Sequence, residues 1–158
     1  MKFKVMTVRF ATALALLAII LLSARPETVS ARSAQNGRLH ATKECGQYNG
    51  TAGSFCTIKS SNLAEIKIDS KVVYDQAAGI PTGMLDSNVV LDAGAGNRAV
   101  GRCTVDFATY LGLCTFSDGT GQFAGFSARV NVSPGSDGLF HWDGTYSFDP
   151  EPDRGRDR

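Results

Sequence analysis

From Ala124 to Val132 the chain keeps a two-residue rhythm. Ala124, Phe126, Ala128, Val130 and Val132 share one parity, while Ser127, Arg129 and Asn131 take the other. Successive side chains of a strand point to opposite faces, so such a run offers one face to a core and one to water. The same period sets Cys103, Val105 and Phe107 against Arg102, Thr104 and Asp106, and Trp142, Tyr146 and Phe148 against His141, Asp143, Thr145 and Ser147. Further strands are expected over 55–59, 65–68, 71–75, 84–91 and 113–116, and a single helical turn over 60–65. Turn-rich clusters separate them: YNGTAG, AAGIPTG, DAGAGN, SDGTG and SPGSDG. No window shows the three-to-four-residue apolar recurrence of an amphipathic helix longer than about two turns. The pattern is that of an all-β chain, a sandwich or a small closed antiparallel β-barrel, and closure into a barrel removes exposed edges.

The first thirty-one residues read as a secretory signal peptide. Lys2, Lys4 and Arg9 make a basic start, and residues 11–22 (ATALALLAIILL) form an uncharged apolar stretch. Val29-Ser30-Ala31 then supplies small residues for cleavage. Twelve apolar residues fall short of the roughly 18 that span a bilayer, so no stable membrane span is expected after cleavage. The expected plan is a signal peptide (1–31), a flexible N-terminal segment (32–44), one β-barrel domain (45–148) and a disordered charged tail (149–158, DPEPDRGRDR). The expected location is secreted or periplasmic. Four of the sixteen Lys/Arg (Lys2, Lys4, Arg9, Arg25) and one of the fifteen Asp/Glu (Glu27) precede residue 32, leaving twelve basic and fourteen acidic residues, formally −2. The basic residues are scattered, so the chain lacks the footprint of a nucleic-acid binder.

Cys45, Cys56, Cys103 and Cys114 all lie in the exported part, an even count that points to two disulfides. Four cysteines allow three connectivities. Neighbours are eleven residues apart in both pairs, which favours the local bridges Cys45–Cys56 and Cys103–Cys114. A zinc site would want a C-x2-C unit, and His40 and His141 do not stand at ligand spacing from a cysteine pair.

The stretch FSDGTGQFAGF raises a separate question, because Gly119, Gly121 and Ala124 fit the relaxed dinucleotide pattern. Such a loop holds phosphate only when it leads into a helix N-terminus. Here it leads into FAGFSARVNV, a strand, and the second match, from Gly94, leads into VGRCTVDF. No nucleotide, metal or other cofactor is expected. Asp118-Gly119 suits a hairpin turn, and Gly121 and Gly125 suit a bulge or a tight barrel bend.

The run GTGQFAGFSARVNV resembles the glycine-rich strand pair of the allene oxide cyclase and dirigent superfamily. KVVYDQ, GRCTVDF, LGLCTF and WDGTYSF fall where that barrel has its other strands. Residues 45–148 look like a small exported bacterial-type member. The resemblance implies a calycin-like closed barrel and, in an enzyme, cyclase or isomerase-like ring closure or coupling. The glutamate and asparagine of the cyclases and the acidic motif of the dirigent proteins have no counterpart in this chain.

Read residue by residue, the polar candidates for a barrel-interior site are Glu65, Arg102, Asp106, Arg129, His141, Asp143 and Tyr146. Arg102 and Asp106 share one face, and an interior Arg–Asp pair would hold a carboxylate or carbonyl; should Cys103 and Val105 face inward instead, the pair faces solvent. The expected ligand-binding set is Arg102, Asp106, Phe126, Trp142 and Tyr146, around a small apolar molecule. No nucleophile setting accompanies His141, Ser117 or Ser127. The leading expectation is therefore a ligand-binding barrel without established catalysis. Its alternatives are a cyclase or dirigent-type enzyme, and a structural or partner-binding domain filled by its own side chains.

Overall fold

Eight strands follow one another and pair with their neighbours in chain order: β1 (Gln35–Glu44), β2 (Phe55–Ser61), β3 (Lys71–Tyr74), β4 (Met84–Asp92), β5 (Arg98–Asp106), β6 (Gly112–Thr120), β7 (Phe126–Pro134) and β8 (Phe140–Phe148). All pairs are antiparallel, and β1 also pairs with β8 from Gln35↔Phe148 to Lys43↔Phe140, so the sheet closes into a barrel without an edge. This computed structural model describes residues 35–79 and 83–149. The expected signal peptide, and the expected charged tail beyond Asp149, lie outside the described residues.

The alternation seen in the sequence sets the faces. Phe126, Ala128, Val130 and Val132 are buried on β7, Cys103 and Val105 on β5, and Trp142 and Phe148 on β8. Two expectations are corrected. Residues 35–44, expected as part of a flexible segment, form β1, so the barrel begins at Gln35 rather than Cys45. Leu39, Ala41 and Lys43 form its inward face, a pattern with only two apolar members and therefore a faint signal. Residues 65–68, expected as a strand, belong to the β2–β3 connection. There Leu63 and Ile66 plug into the core three residues apart, and the Ile66 amide donates to the Leu63 carbonyl (3.1 Å). A spacing of three cannot keep both on one face of a strand.

Both local disulfides are formed. Cys103 and Cys114 are direct cross-strand partners with Cα atoms 4.1 Å apart, and Cys45 and Cys56 tie the end of β1 to the start of β2 at 4.2 Å.

The two ends of the barrel differ. At one end the β2–β3 connection and the β6–β7 connection cover the opening, and Phe123 of a 3-10 turn (Gly121–Phe123) inserts completely. Phe123, Phe116 and Phe148 all pack on Phe126, with ring centroids 5.1–6.2 Å from it. The glycines of GTGQFAG make this plug fit. Gly121 has φ +60°, where a Cβ would also collide with Asn97 Oδ1, the acceptor of the Gln122 amide (2.9 Å). Gly125, at φ +72°, passes close to the Asp149 carbonyl. The loop delivers the chain to β7 through one 3-10 turn, so the helix N-terminus that a phosphate site requires is not formed there.

Between the ends the interior is filled by Leu39, Ile58, Val72, Val89, Leu91, Phe116 and Val130, as expected of a barrel only just wide enough for its side chains. Ser87, fully buried, accepts from the Gln76 amide (3.0 Å) and donates to the Asn88 carbonyl (2.6 Å), so its hydroxyl is satisfied locally. Lys43 is the charged-type residue of the described interior, and it stands at the other end, the mouth.

Candidate ligand site at the barrel mouth

At the mouth, β1 arrives with its third inward residue, Lys43, and the next strands bring Cys56, Tyr74, Leu85 and Val105. Tyr48 folds over from the β1–β2 connection, and Phe107 and Tyr110 from the β5–β6 connection. Together with Val132 and Phe140 they line an open cavity of about 250 Å³ with almost wholly apolar walls. That is larger than the roughly 150 Å³ that accommodates benzene and a little under the range of drug-sized pockets. Tyr110, an aromatic residue at φ +58°, sits at the rim with its ring 6.0 Å from that of Phe140. Bulky residues seldom adopt this backbone conformation away from functional or tightly constrained turns.

Lys43 is 2 % exposed. Its Nζ donates to the Tyr74 hydroxyl at 2.6 Å and lies 4.8 Å from the Trp142 ring centroid and 5.4 Å from that of Tyr74. Burial disfavours the ammonium and lowers its pKa from 10.5 to about 7. The two ring faces favour the cation, but no carboxylate lines the cavity among the described residues. Both protonation states are therefore well populated at neutral pH. Burial raises the Tyr74 phenol, with a further contribution from Tyr48, and burial raises Tyr48 as well, so both stay neutral O–H donors.

Three side-chain polar atoms, the Tyr48 hydroxyl, Ser70 Oγ and Trp142 Nε1, are buried without a hydrogen-bond partner among the described residues. Tyr48 lines the cavity and packs edge-on against Tyr74 at 5.1 Å. A phenolic hydroxyl shielded from water and lacking a partner is costly. The cavity thus has apolar walls, with Lys43 and Tyr48 among the residues that line it.

The structure does not bring the five sequence-expected ligand residues together. Arg102 stands on the outer face, bound in a fork to Asp86 (Nε–Oδ1 2.8 Å, Nη2–Oδ2 2.6 Å). Asp106 is exposed at the end of β5 and accepts from the Ala108 amide (2.7 Å), fixing the turn. The interior Arg102–Asp106 pair is thereby corrected: Cys103 and Val105 take the inward parity, and residues 102 and 106 must face out. Phe126 belongs to the aromatic plug at the closed end. Tyr146 is half-buried near that end, its ring 6.0 Å from that of Phe148 and its hydroxyl accepting from Gln35 Nε2 (3.3 Å). Trp142 is buried in the core and reaches the site only through Lys43.

The other polar candidates also lie elsewhere. Asp143 and His40 meet on the outer face (2.5 Å), His141 pairs with Asp137 (3.2 Å), and Arg129 is exposed on β7. Glu65 is half-buried in the β2–β3 connection. Two more depressions, one around residues 67–71 with 92–94, where Ser70 Oγ is buried without a partner among the described residues, and one around Arg102 on the outer wall, have more polar walls than the mouth.

Sequence reasoning missed Lys43, Tyr48 and Tyr74. The signal was the inward parity Leu39, Ala41, Lys43, legible once 35–44 is taken as a strand. No protein-family model, curated protein or solved structure matches the chain.

Proposed function

We propose that this is an exported barrel protein whose mouth binds a small apolar molecule bearing one hydrogen-bond-accepting head group. The observation that carries the reading is a buried lysine at the floor of an apolar cavity, beside a phenol whose hydroxyl has no partner among the described residues. A core built for stability alone would favour a methionine or leucine at position 43, because removing a cation from water costs several kcal/mol. Perturbed ionisable groups in clefts are instead the mark of functional sites. The body of the ligand would lie against Leu85, Val105, Val132 and Phe140, with its acceptor at Lys43 and Tyr48.

The two disulfides agree with an oxidising compartment, as does the expected signal peptide. No helix of the described residues is long and apolar enough to cross a membrane. The closed eight-stranded meander and the glycine-rich β6–β7 hairpin support the resemblance to the allene oxide cyclase and dirigent superfamily. Confinement of a reactive apolar substrate would be the mechanism of a cyclase-type enzyme in this scaffold. The second reading, a structural barrel, is favoured by the filled interior below the mouth.

Titration with 1-hexanol, followed by methyl NMR of the oxidised protein, tests the binding reading. Shifts are expected at Leu85, Val105 and Val132, with Val100 on the outer face unmoved. Absence of shifts at saturating hexanol, or equal shifts at Val100, would leave the structural barrel as the better account.

A further inference from the structure

We propose that Lys43 captures aldehydes or ketones as a covalent imine, which makes the mouth a site for small apolar carbonyl compounds rather than for apolar molecules in general. This inference rests on the binding reading above and adds a bond to it.

Three features of the site support it. Lys43 is one of the residues that line the cavity, and the walls that would hold the carbonyl compound are apolar. No carboxylate lines the cavity among the described residues, so the amine is not locked in a salt bridge. Desolvation holds its pKa at about 7, leaving a large share as the nucleophilic free base at neutral pH. The partners needed for proton movement are already adjacent: the Tyr74 hydroxyl is 2.6 Å from Nζ, and the Tyr48 hydroxyl has no competing partner among the described residues.

The step balances without an oxidant, reductant or co-reactant. The Nζ lone pair attacks the carbonyl carbon while the C=O π pair moves to oxygen, where Tyr48 donates a hydrogen bond. A proton passes from nitrogen to that oxygen through the Tyr74 hydroxyl, giving a carbinolamine. The C–O bond then breaks, the second nitrogen proton leaves with the oxygen as water, and a C=N bond remains. Uptake of one proton from solvent by the neutral imine nitrogen then restores a cation like the ammonium it replaces, against the Trp142 ring face that already lies 4.8 Å from Nζ. Dehydration in a water-poor pocket favours the imine over its hydrolysis.

The experiment uses the oxidised full chain incubated with hexanal and cyanoborohydride at neutral pH, followed by peptide mapping. The expected product is a hexyl group on Lys43, formed at least roughly tenfold faster than on the exposed Lys67 and Lys71, because far less of an ordinary lysine is free base at pH 7. The Lys43 rate should rise with pH and level off above about 7. The titratable groups lining the cavity with it are the phenols Tyr48, Tyr74 and Tyr110. Tyr74→Phe should slow Lys43 labelling roughly tenfold or more relative to Lys67 and Lys71 in the same molecule.

Labelling of Lys43 no faster than of Lys67 and Lys71, with hexanol still bound at the mouth, would overturn the imine and leave the binding reading standing. If hexanol fails to bind and Lys43 is also unlabelled, both fall.

Discussion

At the scale of single residues, Lys43 is where stability and chemistry pull apart. Its amine titrates near 7 in the folded chain and near 10.5 when unfolded. Below pH 7 both states are protonated and the folded state carries the full penalty of a buried cation. Between about 7 and 10.5 the unfolded chain still holds the proton that the folded chain has released, so folding stability rises with pH, by at most about 1.4 kcal/mol per unit. Above that window the penalty is gone. Lys43→Met should therefore stabilise the protein by about 1–4 kcal/mol at pH 6 and by much less at pH 10. Urea denaturation at the two pH values checks this. A variant equally affected at both would mean that the amine is not desolvated in the folded state.

At the scale of elements, the β5–β6 hairpin is held twice, by its ladder and by the Cys103–Cys114 bridge, both of whose sulfurs are fully buried. The bridge closes a short loop, so replacing both cysteines by alanine should cost roughly 2–4 kcal/mol, a large share of what a domain of this size possesses. The denaturant midpoint reads the loss, and an unchanged midpoint would count against the bridge. The β6–β7 hairpin is sensitive at a different point. Gly121→Ala combines a left-handed backbone with a collision at Asn97 Oδ1. It should cost about 1–3 kcal/mol and loosen the plug around Phe123, visible as faster amide exchange at Gln122. Both hairpins were legible in advance, because turn chemistry and cysteine spacing are local properties.

At the scale of the whole molecule, closure depends on β1, which pairs with β8 over nine residues and with β2 beyond it. A chain beginning at Cys45, the expected start of the domain, would leave β2 and β8 as open edges and expose Trp142 and Phe148. It should lack the near-ultraviolet circular dichroism of the full chain and associate through those edges. A monomeric truncated chain with native-like dichroism would show that β1 is dispensable.

The sequence alone determined that the chain is all β and that seven of the eight strands lie where two-residue alternation or an apolar run marks them, and its cysteine spacing favoured the local bridges that the structure contains. Each of these follows from contacts or periodicities within a few residues. Only the tertiary structure decided that residues 35–44 close the barrel, because a strand with two apolar residues gains its meaning from the partners it finds about a hundred residues away. The site was hidden for the same reason. Lys43, Tyr48 and Tyr74 are unremarkable in sequence, and they come together around an apolar cavity only when β1, β3 and the β1–β2 connection meet at one end. Arg102 and Asp106 show the converse. Chemistry that looks functional in a sequence is decided by parity, and the inward disulfide at Cys103 turns both of them to water.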